Sequence, residues 1–167
     1  MTDTNPGHGA HRELVGYAAD VLATRRNPLT DNAEILMIRR GKPPYKNYWA
    51  FPGGYVDGGE TAQEAAAREA GEEIRLPVDP ETLKFVGLYD RPDRDPRGRV
   101  VGTAWWLHLT GDAARFEPVP DPTEVAGAQW LRITALLDRE FGEIAFDHAG
   151  VIRDLIAKPF AKRLIPE

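Results

Sequence analysis

The sequence predicts an α+β fold in which a mixed β-sheet lies between helices. Three observations carry that reading. Strand-like apolar runs recur along the chain, two long segments have helical periodicity, and the two kinds do not alternate strictly, as an all-parallel sheet would require. With 167 residues, 42% of them apolar, the chain suits one domain with an ordinary core.

The elements follow in order. Residues 1–12 (MTDTNPGHGAHR) carry Gly, Pro and His without periodicity and read as a flexible N-terminal tail. Residues 14–23 form a first strand, a turn-rich gap at 25–32 follows, and residues 34–40 (EILMIRR) form a second. The prolines at 43 and 44 make the next segment a loop. A short extended piece at 48–51 ends in the Pro52-Gly53-Gly54 turn. Residues 61–74 form the clearest helix: Thr61 is the N-cap, Glu64 stands at capping-box spacing, and Ala62, Ala66, Ala70 and Ile74 make an apolar stripe. Strands at 83–89 and 99–110 flank a loop rich in arginine and proline. Residues 111–122 are loop, 125–132 a last strand, and 133–138 a short helix. Residues 147–160 form a second long helix, with Asp147 as N-cap and Val151, Leu155 and Ile156 buried. The single domain is expected to span 13–162, with a C-terminal tail at 163–167.

Composition narrows the function. The chain has no cysteine, which excludes disulfides, thiolate metal sites and thiol nucleophiles. The opening has neither a basic start nor an apolar run, and no stretch approaches the roughly 18 apolar residues of a membrane span. The expectation is therefore a cytoplasmic protein that does not engage a membrane. Net charge is −5 with no basic stripe, which argues against nucleic acid as a partner.

The chemistry concentrates on the first long helix. Glu69, Glu72 and Glu73 stand at i, i+3 and i+4 and share one face. Like charges at this spacing repel unless a hard cation sits among them, and carboxylate oxygens suit Mg²⁺, with Mn²⁺ as a substitute. Taken alone, the same three residues more often describe a solvated acidic face. The residues before them add context: Gly54, Glu60, Arg68-Glu69 and Glu72-Glu73, preceded by Trp49-Ala50-Phe51-Pro52-Gly53. This pattern, over 54–76, resembles the Nudix box, a loop–helix–loop signature with glycine, glutamate, Arg-Glu and Glu-Glu at this spacing. Two positions depart from the family pattern. Arg75 stands where the family has glycine, and Ala70 where it has a larger apolar residue.

The resemblance implies a Nudix α/β/α sandwich and hydrolysis of a diphosphate in a nucleoside diphosphate linked to another group. It implies that Glu69, Glu72 and Glu73, with the carbonyl of Gly54, hold metal, and that Glu60 and Arg68 brace the loop against the helix. Glu69, Glu73 and Glu124 are the candidate catalytic carboxylates, with Glu69 or Glu124 as general base. The run Arg94-Asp95-Pro96-Arg97-Gly98 resembles Nudix members acting on ADP-ribose and the related regulators of NAD metabolism, and Pro92, sixteen residues beyond Leu76, resembles the ADP-ribose pyrophosphatase subgroup. Arg91, Arg94, Asp95 and Arg97 are therefore expected to bind substrate, and Tyr48 and Phe51 to stack on a base. The small-molecule nucleotide is then ADP-ribose, yielding AMP and ribose 5-phosphate. Other readings are another Nudix substrate (NADH, a nucleoside triphosphate or a dinucleoside polyphosphate) and a non-catalytic ADP-ribose sensor. The resemblance also admits a homodimer.

Overall fold

The computed structural model describes residues 13–162 and 164. Seven strands and three helices follow in the order β1 (Gly16–Arg26), β2 (Ala33–Arg40), β3 (Trp49–Ala50), β4 (Gly53–Tyr55), α1 (Ala62–Ile74), β5 (Lys84–Tyr89), β6 (Val100–Leu109), β7 (Val125–Arg132), α2 (Ile133–Leu137) and α3 (His148–Ala157). The sheet runs β3-β2-β1-β6-β5, with β4 also paired to β1 and β7 to β2. It is mixed: β1 runs parallel to β6, while β1–β2, β1–β4 and β5–β6 are antiparallel.

Period-two alternation along β1 divides the core between two faces. Ala19, Val21 and Ala23 join Leu36 and Ile38 under α1. Leu22 faces the other way and joins Ile35, Met37, Trp106 and Leu131 under α2 and α3. The adjacent tryptophans of β6 split accordingly. Trp106 is buried in the second cluster, and Trp105 is partly buried against the first, edge-on to Phe85. Among the described residues, no helix is long and apolar enough to cross a membrane.

The buried face of α1 is built from alanine: Ala62, Ala65, Ala66, Ala67 and Ala70, ending in Ile74. Small side chains let the helix axis lie close to the sheet. The expected capping box is present. The Thr61 hydroxyl accepts from Glu64 N at 3.2 Å, and the Glu64 carboxylate accepts from Thr61 N at 2.7 Å. At the other end Arg75 adopts the left-handed conformation, φ 60°, that glycine normally supplies. Arg75 N reaches Gly71 O at 3.1 Å, the single bond of a left-handed helix cap, and Leu76 N reaches Ala70 O, so the helix closes despite the arginine. The Arg75 guanidinium bonds Asp121 at 3.1 Å.

Three elements and the C-terminal tail differ from the expectations. β1 continues to Arg26 because Arg25, a poor strand-interior residue by pattern, is fully satisfied: it pairs with Glu34 and Glu117 and donates to the carbonyls of Ala114 and Phe116. β4 falls where the glycines suggest only a turn. α3 stops at Ala157, ahead of a 3₁₀ turn at Pro159–Ala161, because Pro159 breaks the hydrogen-bond ladder. In α3 it is Ile152, not Ile156, that is fully buried with Val151 and Leu155. Leu164, placed in the C-terminal tail by pattern, is buried in the second cluster. The N-terminal tail expected at 1–12 lies outside the described residues.

Arg75→Gly is expected to stabilise the fold, by up to about 1 kcal/mol, since relief of the left-handed strain outweighs one exposed ion pair. A higher thermal midpoint checks this, and a lower one shows that the Asp121 contact dominates.

Candidate active site

The Gly53-Gly54 segment lines one cavity and lies against carboxylates of another. The first, acidic cavity is lined by Glu69, Glu72 and Glu73 of α1 and Arg75 beyond its end, with Asp121, Thr123 and Glu124. The second is a recess lined by Asp20, Arg40, Phe51, Gly53, Gly54, Tyr55, Arg94, Asp95, Arg97, Phe146 and His148, among others. A Cβ on Gly53 would overlap the Ala19 carbonyl and Asp20, and one on Gly54 would overlap the Glu69 carboxylate. Only residues without side chains let β4 pass this closely between β1 and α1.

In the acidic cavity, Glu73 accepts a hydrogen bond from Gly53 N at 3.0 Å. Burial pushes its carboxyl up to about 8, against that bond, and the nearby charges of Glu69, Asp20 and Glu124 push the same way. Burial also raises Glu69, partly opposed by Arg68. Glu124 reaches this cavity through the chain that precedes β7. Asp121 N bonds the Glu73 carbonyl at 2.8 Å, and Val119 N bonds that of Ile74 at 3.1 Å. The end of α1 thus anchors the loop that carries Glu124.

Arg68 ties the cavity to the preceding loop. It donates to both Glu60 oxygens (2.8 and 3.1 Å), to the Tyr55 carbonyl (3.1 Å), to Glu69 (2.9 Å) and to Glu72 (3.1 Å). Among the described residues, no group of three His, Cys, Asp or Glu side chains is arranged as it stands to hold a metal ion. Arg68 supplies the reason, since it draws Glu69 and Glu72 to itself. The donor set nevertheless fits a hard divalent cation in kind. It consists of carboxylate oxygens, and its most buried carboxylate, Glu73, makes no direct ion pair among the described residues, though the Arg40 charge acts on it. Release of Glu72, more than half exposed, from one contact with Arg68 would supply a further donor.

The arginine loop does not present free guanidiniums around its rim. Arg94 is buried and held in a two-pronged bond by Asp147, at 2.8 and 2.9 Å. Asp95 is buried and pins Arg97 at 2.7 Å. Arg91 pairs with Asp93, away from the recess. Arg97 remains displayed in the recess, 5.6 Å from the Tyr55 ring and 5.7 Å from the Phe146 ring. Phe51 is buried and stacks on His148 with ring centroids 4.5 Å apart. Tyr48 lies beside Tyr45 and does not line the recess.

Sequence reasoning missed Arg40, Asp20 and Phe146. Arg40 ends β2, donates from Nε to the Pro44 carbonyl at 2.7 Å, and lies 4.9 Å from the Phe146 ring centroid. Burial and the nearby Arg97 charge lower its pKa. Phe146, at φ 53°, holds an uncommon conformation for a bulky residue. Asp20 is pushed up to about 7 by burial, against the pull of Arg94. His148 is held down at about 3 by burial, so its ring is neutral. A charged residue inside the apolar run of β1 was the one available signal for Asp20. Nothing local marked the other two.

A NUDIX domain model matches residues 17–155 of this chain. The chain belongs to the NUDIX domain family. It is 36% identical over 121 residues to an ADP-ribose pyrophosphatase of Methanocaldococcus jannaschii, covering 72% of this chain and 64% of that protein. The match thus spans less than two thirds of the relative's length. Among solved structures, the NUDIX domain of Shewanella oneidensis NrtR, in complex with ADP ribose, superposes with a TM-score of 0.74 at 18% identity, covering 99% of this chain and all of that one, and shares the fold. A bifunctional NMN adenylyltransferase/ADP ribose pyrophosphatase of Francisella tularensis, in complex with AMP and a Mn ion, has a TM-score of 0.71 at 25% identity, covering 88% of this chain and 42% of that one. The Nudix fold expected from 54–76 is therefore the fold of the chain.

Two outcomes are expected of this Nudix site. Gly54→Ala displaces the Glu69 carboxylate and weakens Mn²⁺ binding at least about tenfold, read by titration of the ion against pure protein. His148 remains neutral in ring-carbon NMR spectra through about pH 5, where an exposed histidine is charged. Because its folded pKa is depressed, its contribution to stability is present above the unfolded value of 6.5 and is lost as pH falls toward about 3.

Proposed function

We propose that this Nudix protein hydrolyses the diphosphate of ADP-ribose to AMP and ribose 5-phosphate, in a single domain spanning 13–162. One observation carries the reading. Gly53 and Gly54 line the recess while Gly53 N bonds Glu73, so an arginine-bearing recess and an acidic cavity share one wall. A substrate with a diphosphate beside an organic group can rest its anionic part across that wall. The 36% identity with an ADP-ribose pyrophosphatase supports the choice of substrate.

Glu69, Glu72, Glu73 and the Gly54 carbonyl are the ligands for a divalent ion, Mg²⁺ or Mn²⁺ in its place. When bound, that ion supplies charge neutralisation at the phosphate oxygens. Arg40 and Arg97 hold the anionic part of the substrate from the recess, while Asp95 keeps Arg97 in place. Arg94 and Asp95 act from behind as supports, while Arg91 and Tyr48 do not line the recess. Phe51 carries the neutral His148 ring.

Water adds to a phosphorus of the diphosphate, the bridging P–O bond breaks, and Glu69 or Glu124 takes the proton from water. Glu69 is the more desolvated of the two, but it is occupied by Arg68 at 2.9 Å. Glu124 is more than half exposed, and its one ion pair among the described residues is with Lys42, at 3.6 Å. Glu60 and Arg68 brace the loop 55–60 against α1.

Pure protein with Mg²⁺ is expected to release AMP from ADP-ribose in preference to NADH, nucleoside triphosphates and diadenosine polyphosphates. Preferred turnover of a triphosphate overturns the substrate choice, and saturable ADP-ribose binding without turnover makes the protein a sensor. Glu73→Gln keeps an acceptor for Gly53 N and should retain the fold while lowering kcat at least about 100-fold. Circular dichroism and steady-state kinetics check both halves.

A further inference from the structure

Asp20 stands in the middle of β1, paired across the sheet with Gly53 on one side and Ala104 on the other. Its carboxylate accepts no hydrogen bond from any described residue. Arg94, the cation nearest in charge, is committed to Asp147 through two bonds. The Asp20 side chain keeps 16% exposure and lines the recess.

Its neighbour there is His148. Phe51 N donates to His148 Nδ1 at 3.2 Å, so Nδ1 is an acceptor. The proton of the neutral ring therefore sits on Nε2. His148 Nε2 and Asp20 Oδ2 are 3.9 Å apart, beyond direct hydrogen-bond reach. A donor and an acceptor thus border the same recess, each without a hydrogen-bond partner among the described residues and too far apart to satisfy one another.

The group that completes such a pair must accept from Nε2–H and donate to a carboxylate. A phosphate oxygen accepts but does not donate, and the carboxylate repels it. An amino group on a base donates but is a poor acceptor. A hydroxyl does both. Carboxylates read ribose hydroxyls in the same manner at dinucleotide sites.

We propose that Asp20 and His148 form a hydroxyl-reading pair that recognises a ribosyl group of the substrate and rejects its deoxy form. The inference rests on the nucleotide-hydrolase reading above and adds a specificity determinant to it. Arg40 and Arg97 take the anionic part of the ligand, and Asp20 with His148 takes a neutral sugar.

The experiment measures binding by calorimetry, without turnover. Wild-type protein is titrated with ADP-ribose and with its 2′-deoxy analogues at either ribose, then with ATP and its 2′- and 3′-deoxy forms. Above the raised Asp20 value of about 7, where the carboxylate is charged, one deoxy form is expected to bind about 10- to 100-fold more weakly than its parent, the loss of a hydrogen bond to a charged group. Asp20→Ala should bind the ribosyl parent as weakly as wild type binds that deoxy form, with little further loss on removal of the hydroxyl. Equal binding of ribosyl and deoxy forms by the wild type overturns the inference whether or not the variant folds. So does a variant that weakens both forms alike. An inosine analogue of ADP-ribose tests the base, and a variant that loses adenine preference rather than ribose preference also overturns it. Failure to bind ADP-ribose, with ribose preference kept on ATP, refutes the ADP-ribose reading and upholds the pair. Failure to bind either parent overturns both.

Discussion

A strip of backbone without side chains, Gly53-Gly54, threads between β1 and α1, and both cavities depend on it. Any Cβ at Gly53 meets the Ala19 carbonyl and Asp20, and any Cβ at Gly54 meets Glu69. Because the strip is thin, α1 can lie near enough to the sheet for Glu73 to accept the Gly53 amide at 3.0 Å. The alanine face of α1 serves the same closeness from the other direction. Larger residues at Ala66 or Ala70, both fully buried, would move the helix outward and separate the glutamates from the glycine strip.

The glutamates are held in tension between two kinds of partner. Arg68 neutralises part of their charge and links them to Glu60 and the Tyr55 carbonyl, which fixes the loop before the helix. Glu73 lies beyond that reach, and burial pushes its carboxyl well above the ordinary range. A site so arranged favours a cation for its deepest carboxylate while its outer ones are held in place by an arginine.

On the other side of the strip, the arginine loop is organised by its own aspartates. Asp95 takes Arg97, and Asp147 from the start of α3 takes Arg94. These bonds convert a string of like charges into a wall with few displayed guanidiniums. Asp147 stands at the N-cap position of α3 but makes no side-chain cap bond, because its carboxylate serves Arg94 instead. Local helix-start chemistry and tertiary pairing compete there, and the pairing with a desolvated guanidinium wins.

Much of this chain was legible from residue order. The α1 helix, its capping box, the strand positions and the family followed from short-range signals: a hydroxyl three residues before a glutamate, alanines at helical spacing, and acidic residues at fixed distances from a glycine. Such signals survive because they act within a turn or two of chain. What only the tertiary structure decided depends on contacts between distant segments. Arg40, Asp20, Phe146 and His148 come from β2, β1, the approach to α3 and its first residue, and nothing in their own neighbourhoods brings them to one recess. The strand at 53–55 was hidden for a similar reason, since two glycines read locally as a turn and become a strand only where β1 leaves no room for side chains.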